Sequence, residues 1–389
     1  MPLPSDVSLP IARYQDKARL RYIDALRGVA ALLVAWLHSV YAFRRIADEG
    51  GAGGSWLAAP FAYMDVGHVG VVVFFLISGF VIPFSIRPDA PAPASSFLIK
   101  RFFRLFPAYW LSVPLAAAAI FWIWGTQFSW REVLINLTLL QDAFGVRSAE
   151  GVYWTLPVEI VFYVLCTALL LLGSLFDPRR IGVLAALLVV AFAVSVPTYR
   201  AGKSILDPNI AFWFLNLAVM LWGTLYRSQR DAVASARGGV TAVLLWGLLF
   251  CFVIGLPLLS LTGTPYVRRE MIAYIAGFAI FLLGTSFVRI ETRLTDWLGQ
   301  ISYSIYLFHS IVFVSMQWWL LRQPAGSWWR TQHLGVYMGV GLLVVLIVST
   351  LVYRLVEKPG IDLGHRVASA WRRRVARKTA SREPVAGHR

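Results

Sequence analysis

Residues 22–38 read Tyr22-Ile23-Asp24-Ala25-Leu26-Arg27-Gly28-Val29-Ala30-Ala31-Leu32-Leu33-Val34-Ala35-Trp36-Leu37-His38, an apolar run that carries an arginine and a histidine. Its hydrophobic continuation reaches residue 43, giving about the 20 residues that a helix needs to cross a bilayer. Side chains that ionise at membrane depth are expensive, so each is a functional candidate by default. Arg27 and His38 are 11 residues apart. At about 100° per residue they return to one helix face, roughly 16 Å apart along the axis. That face carries a cation near one membrane surface and an imidazole far above it. The geometry suits a long anionic ligand whose reactive end must reach the histidine.

The rest of the chain is of the same kind. Its 389 residues are 58% hydrophobic with a mean hydropathy of +0.66, which excludes an ordinary soluble domain. Ten stretches are long enough to span, near 22–43, 66–85, 105–124, 153–176, 180–198, 209–226, 237–261, 268–288, 296–321 and 333–356. Pro197 and Asn216 interrupt the two weakest. The predicted fold is an all-α polytopic membrane helix bundle. Lys and Arg concentrate in the connections on the N-terminal side, so the positive-inside bias places both termini in the cytoplasm.

The net charge of +16 is largely this bias plus the basic tail Trp371-Arg372-Arg373-Arg374-Val375-Ala376-Arg377-Lys378. A solvated cytoplasmic end explains the tail better than anionic lipid or nucleic acid does, so the expected contacts are the bilayer and no nucleic acid. Cys166 and Cys251 fall inside predicted spans and imply neither a disulfide framework nor a metal site. No cleavable signal peptide precedes the first span, because the first twenty residues are polar. The expected organisation is a cytoplasmic tail at 1–20, one membrane domain at 21–359 and a basic tail at 360–389, both flanks poorly ordered. Residues 86–96 form a Pro-rich inner connection, and Gly50-Gly51-Ala52-Gly53-Gly54 reads as a flexible outer link.

Several polar groups interrupt these spans. Arg27 has two compatible readings, a pair with Asp24 three residues earlier or a ligand site. Lys100-Arg101-Phe102-Phe103-Arg104 precedes the third span. It reads as a positive flank, yet Arg101 and Arg104 share a face and suit bidentate phosphate recognition. Glu159, in Tyr153-Trp154-Thr155-Leu156-Pro157-Val158-Glu159, lies about 9 Å into the fourth span. Ser302, Tyr306 and His309 share one face of the ninth. By depth, His38, Glu159 and His309 all reach the outer half and are expected to converge. Trp318-Trp319 and Trp328-Trp329 fit an interfacial belt.

Taken in order, these segments resemble the acyltransferase-3 family of bacterial membrane O-acyltransferases. The likeness rests on Asp24-Ala25-Leu26-Arg27-Gly28 through His38; Gly70 with Phe74-Phe75-Leu76-Ile77-Ser78-Gly79-Phe80; Arg101-Phe102-Phe103-Arg104; Trp154 through Glu159 with Phe162-Tyr163; Ser302 through His309; and Glu357-Lys358-Pro359. Family members commonly have an acidic residue before the paired phenylalanines, where this chain has Val72-Val73.

The resemblance implies a bacterial inner-membrane enzyme that moves an acyl group, usually acetyl, from cytoplasmic acyl-CoA to a hydroxyl of a surface or exported carbohydrate. Acyl-CoA is then a co-substrate, no cofactor is permanently bound, and polysaccharide-assembly proteins are possible partners. The expected site places His38, Glu159 and His309 at the chemistry and Arg27, Arg101 and Arg104 on the donor. Tyr306, Trp154 and Ser302 are expected along the acceptor path. An imidazole of ordinary pKa near 6.5 can take a hydroxyl proton at neutral pH, and histidine can also form a covalent acyl intermediate. Direct attack with His38 as base is favoured. Two other classes use the same groups: a proton-coupled transporter of a small metabolite or sugar intermediate, and an inactive scaffold in polysaccharide assembly.

Overall fold

The structure is a computed structural model that describes residues 20–51, 53–200, 208–232, 239–261 and 265–380. Thirteen α-helices, joined in places by short 3-10 and π-helical turns, form its frame, with no strand among the described residues: α1 (Arg21–Glu49), α2 (Val66–Val81), α3 (Pro93–Ala116), α4 (Trp130–Asn136), α5 (Thr155–Leu171), α6 (Pro178–Arg200), α7 (Pro208–Ala232), α8 (Gly239–Phe250), α9 (Leu256–Ser260), α10 (Pro265–Ser286), α11 (Arg293–Leu321), α12 (Leu334–Val352) and α13 (Lys358–Ala380). Ten helical segments among the described residues are long and apolar enough to cross a membrane. A transmembrane backbone must satisfy its own hydrogen bonds, and helices do so.

Two long helices, α1 and α11, pack along one another, and α2 lies inside the bundle against α1, α7 and α10. Hydrocarbon offers no hydrophobic drive between helices, so close backbone approach holds them together. Glycines permit it at two crossings. A Cβ on Gly299 would lie 2.3 Å from the Asp24 carbonyl oxygen, and one on Gly79 would lie 1.7 Å from that of Met220. Asp65 caps α2, its carboxylate accepting from the His68 N–H at 2.8 Å.

Two sequence expectations change. The third spanning segment starts at Pro93, with proline in the first turn, and not near 105. Arg101 and Arg104 therefore belong to the helix body. They do not end it because their guanidinium groups face internal cavities and not lipid. The basic flank, expected to be poorly ordered from residue 360, is helical to Ala380. Its Gly360 and Gly364 let α13 lie directly on Pro107 and Phe103 of α3, and the Trp371 indole donates to Ser95 at 2.8 Å. Residues 1–19 and 381–389 lie outside the described residues.

Between α12 and α13 the chain makes a wide π-helical turn, Tyr353–Glu357. The inward positions of α12 step by three or four through Tyr337, Gly341, Val345, Ser349 and Val352. The next fully buried side chain is Glu357, five residues on.

Candidate active site

α1 is unbroken from Arg21 to Glu49, so Arg27 and His38 keep the separation of roughly 16 Å that regular helix geometry gives. The His38 Nδ1 lies 2.9 Å from the Val34 carbonyl oxygen. A carbonyl only accepts, so the neutral ring carries its proton on Nδ1 and its lone pair on Nε2. His309, from α11, repeats the arrangement with Nδ1 3.0 Å from the Ile305 carbonyl. The two rings meet edge to face with centroids 4.8 Å apart. His309 is fully buried, and its Nε2 has no hydrogen-bond partner among the described residues. His38 is less enclosed, and its ring is 6.4 Å from the exposed Tyr41.

Below the histidines lies a cavity of about 400 Å³, of the size that takes small ligands. Arg27, Arg101, Arg104 and Glu159 line it. Arg104 is 3.5 Å from the Glu357 carboxylate, which also accepts from the Ser304 hydroxyl at 2.7 Å. Arg101 donates to the Ser85 hydroxyl at 2.7 Å and lies over the Phe97 ring. Among the described residues no carboxylate is within ion-pairing distance of Arg27 or Arg101.

The cavity stops at Tyr306, Thr155 and Phe74, one layer short of the histidine pair. The Tyr306 hydroxyl donates to the Val152 carbonyl at 2.7 Å and shares a 2.8 Å hydrogen bond with Thr155. Its ring centroid is 6.2 Å from that of His309.

The expected residues thus divide. His38 and His309 come together. Glu159 takes its place among the arginines, where it lines the cavity and accepts from the Tyr163 hydroxyl at 2.5 Å. Depth along α5 did not reveal which neighbours it would meet. Trp154 is stacked on His68 with centroids 6.1 Å apart, and Ser302 donates to the Gly299 carbonyl at 2.8 Å beside the α1–α11 crossing. Neither lines the cavity.

Three residues not singled out for a role contribute. Arg227 of α7 lines the cavity, donates to the Phe80 carbonyl at 3.0 Å and lies 4.5 Å from the Phe84 ring centroid. In the sequence it looks like any basic flank. Glu357 anchors Arg104. His68 is buried within the second span with Nε2 unpartnered among the described residues. The rule that drew attention to His38 applies equally to it.

Glu150 sits just outside the membrane-spanning segment Gly151–Leu171 and is 6% exposed. Burial pushes its carboxyl up from about 4.5 to about 7, against hydrogen bonds from Val152, Gly151 and Ser310 that pull it down. A raised folded-state pKa gives stability that is complete below about pH 4.5 and is lost as pH rises through about 7. The full loss is on the order of 3 kcal/mol. Glu150→Gln should match the parent in thermal midpoint near pH 5 and exceed it near pH 8, measured in detergent. A difference that does not change with pH would show that Glu150 does not titrate there.

The fold and these buried groups define a multi-pass membrane protein with a cationic internal cleft leading to paired histidines. The acyltransferase domain family matches residues 20–354. The chain belongs to this acyltransferase-3 family and is an acyltransferase. BcsY of Komagataeibacter xylinus, named as a membrane-bound transacylase, is 28% identical over 388 residues, covering 92% of this chain and 88% of that one. ExoZ of Rhizobium meliloti, named as an exopolysaccharide production protein, is 28% identical over 266 residues, covering 64% and 77%. YrhL of Bacillus subtilis, named as a peptidoglycan O-acetyltransferase, is 24% identical over 398 residues, covering 91% of this chain and 57% of that one. No solved structure matches.

Proposed function

We propose that this enzyme takes an acyl group, acetyl in the first instance, from acyl-CoA and delivers it to a hydroxyl of a surface or exported carbohydrate. The observation that carries the reading is the pair Arg27 and Arg101, which face the cavity without a carboxylate partner among the described residues. Guanidinium groups recognise phosphate oxygens by paired hydrogen bonds, and the donor's diphosphate supplies them. Glu159 and Glu357 hold the cluster short of excess positive charge. The pantetheine arm then runs up the cavity towards the histidines. Tyr306 must swing from Val152 and Thr155 to let the thioester pass.

At the histidines the acceptor hydroxyl gives its proton to His38 Nε2 as its oxygen attacks the thioester carbon. The tetrahedral intermediate collapses, the carbon–sulfur bond breaks, and the thiolate recovers the proton from the imidazolium. The products are the O-acyl ester and CoA thiol. His309 packs the His38 ring in place from the opposite helix. Carbohydrate is favoured as acceptor by the names of the exopolysaccharide and peptidoglycan relatives.

In this reading the protein sits in a bacterial inner membrane with both termini in the cytoplasm. The arginine end then faces the donor pool, and His38 is approached from the other side. The test uses sealed vesicles of known orientation, with radiolabelled acetyl-CoA confined to the arginine side and glycan acceptor supplied only on the opposite side. Label should appear on the acceptor. Labelling that requires donor and acceptor on the same side would overturn the transmembrane part, and no transfer from acetyl-CoA in any arrangement would remove the donor.

A further inference from the structure

A second cavity, of about 230 Å³, lies beside the first and shares Ser85, Arg101 and Arg104 with it. Its walls come from the Pro-rich connection, the first turns of α3 and one face of α13. Arg87, Lys100, Arg101, Arg104, His365 and Arg372 line it, and no carboxylate does. Arg104 already has Glu357, which leaves three arginines and a lysine around one small space. Like charges gathered this closely repel, and the arrangement is relieved when an anion enters. Two donors in the lining also lack partners among the described residues: Arg101 Nε, and the hydroxyl of Ser96, which is 5% exposed.

The α13 wall is positioned by helix packing, while His365 in it and Arg87 opposite are themselves exposed. Ile361, His365 and Arg372 return to one face of α13 at helical spacing. The backbone of α13 is pressed on Phe103 through Gly364, and Trp371 is bonded to Ser95. The family match ends at residue 354, before α13 begins, so this wall is supplied by sequence beyond it.

We propose that this second cavity is a phosphomonoester site, and that on the acyl-CoA reading it holds the 3′-phosphate of the donor's ribose. Arg101 stands in the shared wall, so a donor whose diphosphate lies there and whose arm occupies the first cavity extends its other end into the second. A dianionic monoester is the group that needs several cations and has oxygens to accept from Arg372, Arg101 and Ser96.

The test measures equilibrium binding of acetyl-CoA and of acetyl-3′-dephospho-CoA to the full-length protein in nanodiscs of neutral lipid. The parent should prefer the 3′-phosphorylated donor by about tenfold or more. Arg372→Ala, and separately Arg87→Ala, should weaken acetyl-CoA towards the dephospho value while leaving dephospho binding unchanged. That unchanged binding also reports that the variants are folded. Equal binding of the two donors by the parent overturns the site and leaves the acyl-CoA reading intact. Equal weakening of both donors in the variants overturns it as well. Failure of both donors to bind overturns the acyl-CoA reading itself. If phosphatidic acid added to the nanodiscs binds in an Arg372-dependent way while the parent does not discriminate between donors, the phosphate belongs to a lipid headgroup and the donor assignment falls.

Discussion

His38→Ala should lower acyl transfer by a factor on the order of 10² to 10⁴, the usual contribution of a positioned general base. The ring's orientation is fixed twice, by the 2.9 Å contact of Nδ1 with Val34 and by the edge-to-face packing on His309. Both leave the Nε2 lone pair as the basic site, and no other partly open imidazole lies at this level of α1. Removing the ring leaves α1 helical, since its backbone bonds and its packing on α11 are untouched. The protein should therefore remain monodisperse after extraction while turnover collapses. His38→Gln, which keeps a polar group but accepts no proton, should fall equally. Turnover within a few fold of the parent in either variant would take His38 out of the chemistry and move attention to His309.

Gly79→Ala should cost about 3 kcal/mol or more, at the severe end for an overpacked contact, and should be read as lost folded yield. The reason is backbone against backbone. A Cβ on Gly79 would sit 1.7 Å from the Met220 carbonyl oxygen, and one on Gly223 would sit 2.5 Å from that of Leu76. The same contact is bridged by Thr224, whose hydroxyl donates to the Gly79 carbonyl at 3.0 Å. Neither helix can rotate a flexible side chain away; α2 and α7 must part. Gly339→Ala is the internal control, because nothing lies within 4 Å of its Cβ position. It should be neutral or slightly stabilising, as alanine suits a helix interior better than glycine. Similar yields for the two variants would contradict this account of Ser78-Gly79-Phe80.

The spanning helices and the arginine-to-histidine face of α1 were legible because hydropathy and helical phase are local properties. What a helix meets is not local. Arg101 and Arg104 looked like the flank of a shorter span because hydropathy registers charge and not direction. The structure turns both into cavities, so the helix runs on through them. Glu159 has the right depth to approach the histidines, yet the tilt and neighbours of α5 give it to Tyr163 and the arginine-lined cavity. The order of α13 was hidden for a related reason. Its polar residues suggest solvation, and only the two glycines facing α3 hint that it docks.

The wide turn at Tyr353–Glu357 gives the last transmembrane segment an unusual tolerance profile. Glu357 points inward because one surplus residue delays the helix by about 100° before it resumes. Leu355, two residues earlier, is 72% exposed and faces out. Exchanging one apolar letter for another in this stretch leaves that delay in place. Deleting a single letter lets the turn relax to regular winding with the carboxylate four residues after Val352 and still within about 40° of its direction, whereas inserting one adds about 100° and swings it away from Arg104 and Ser304 towards lipid. The grip on Arg104 at the arginine end is thus encoded in the length of a segment more than in its composition, and a frame-preserving gain of one codon there would do more damage than the loss of one.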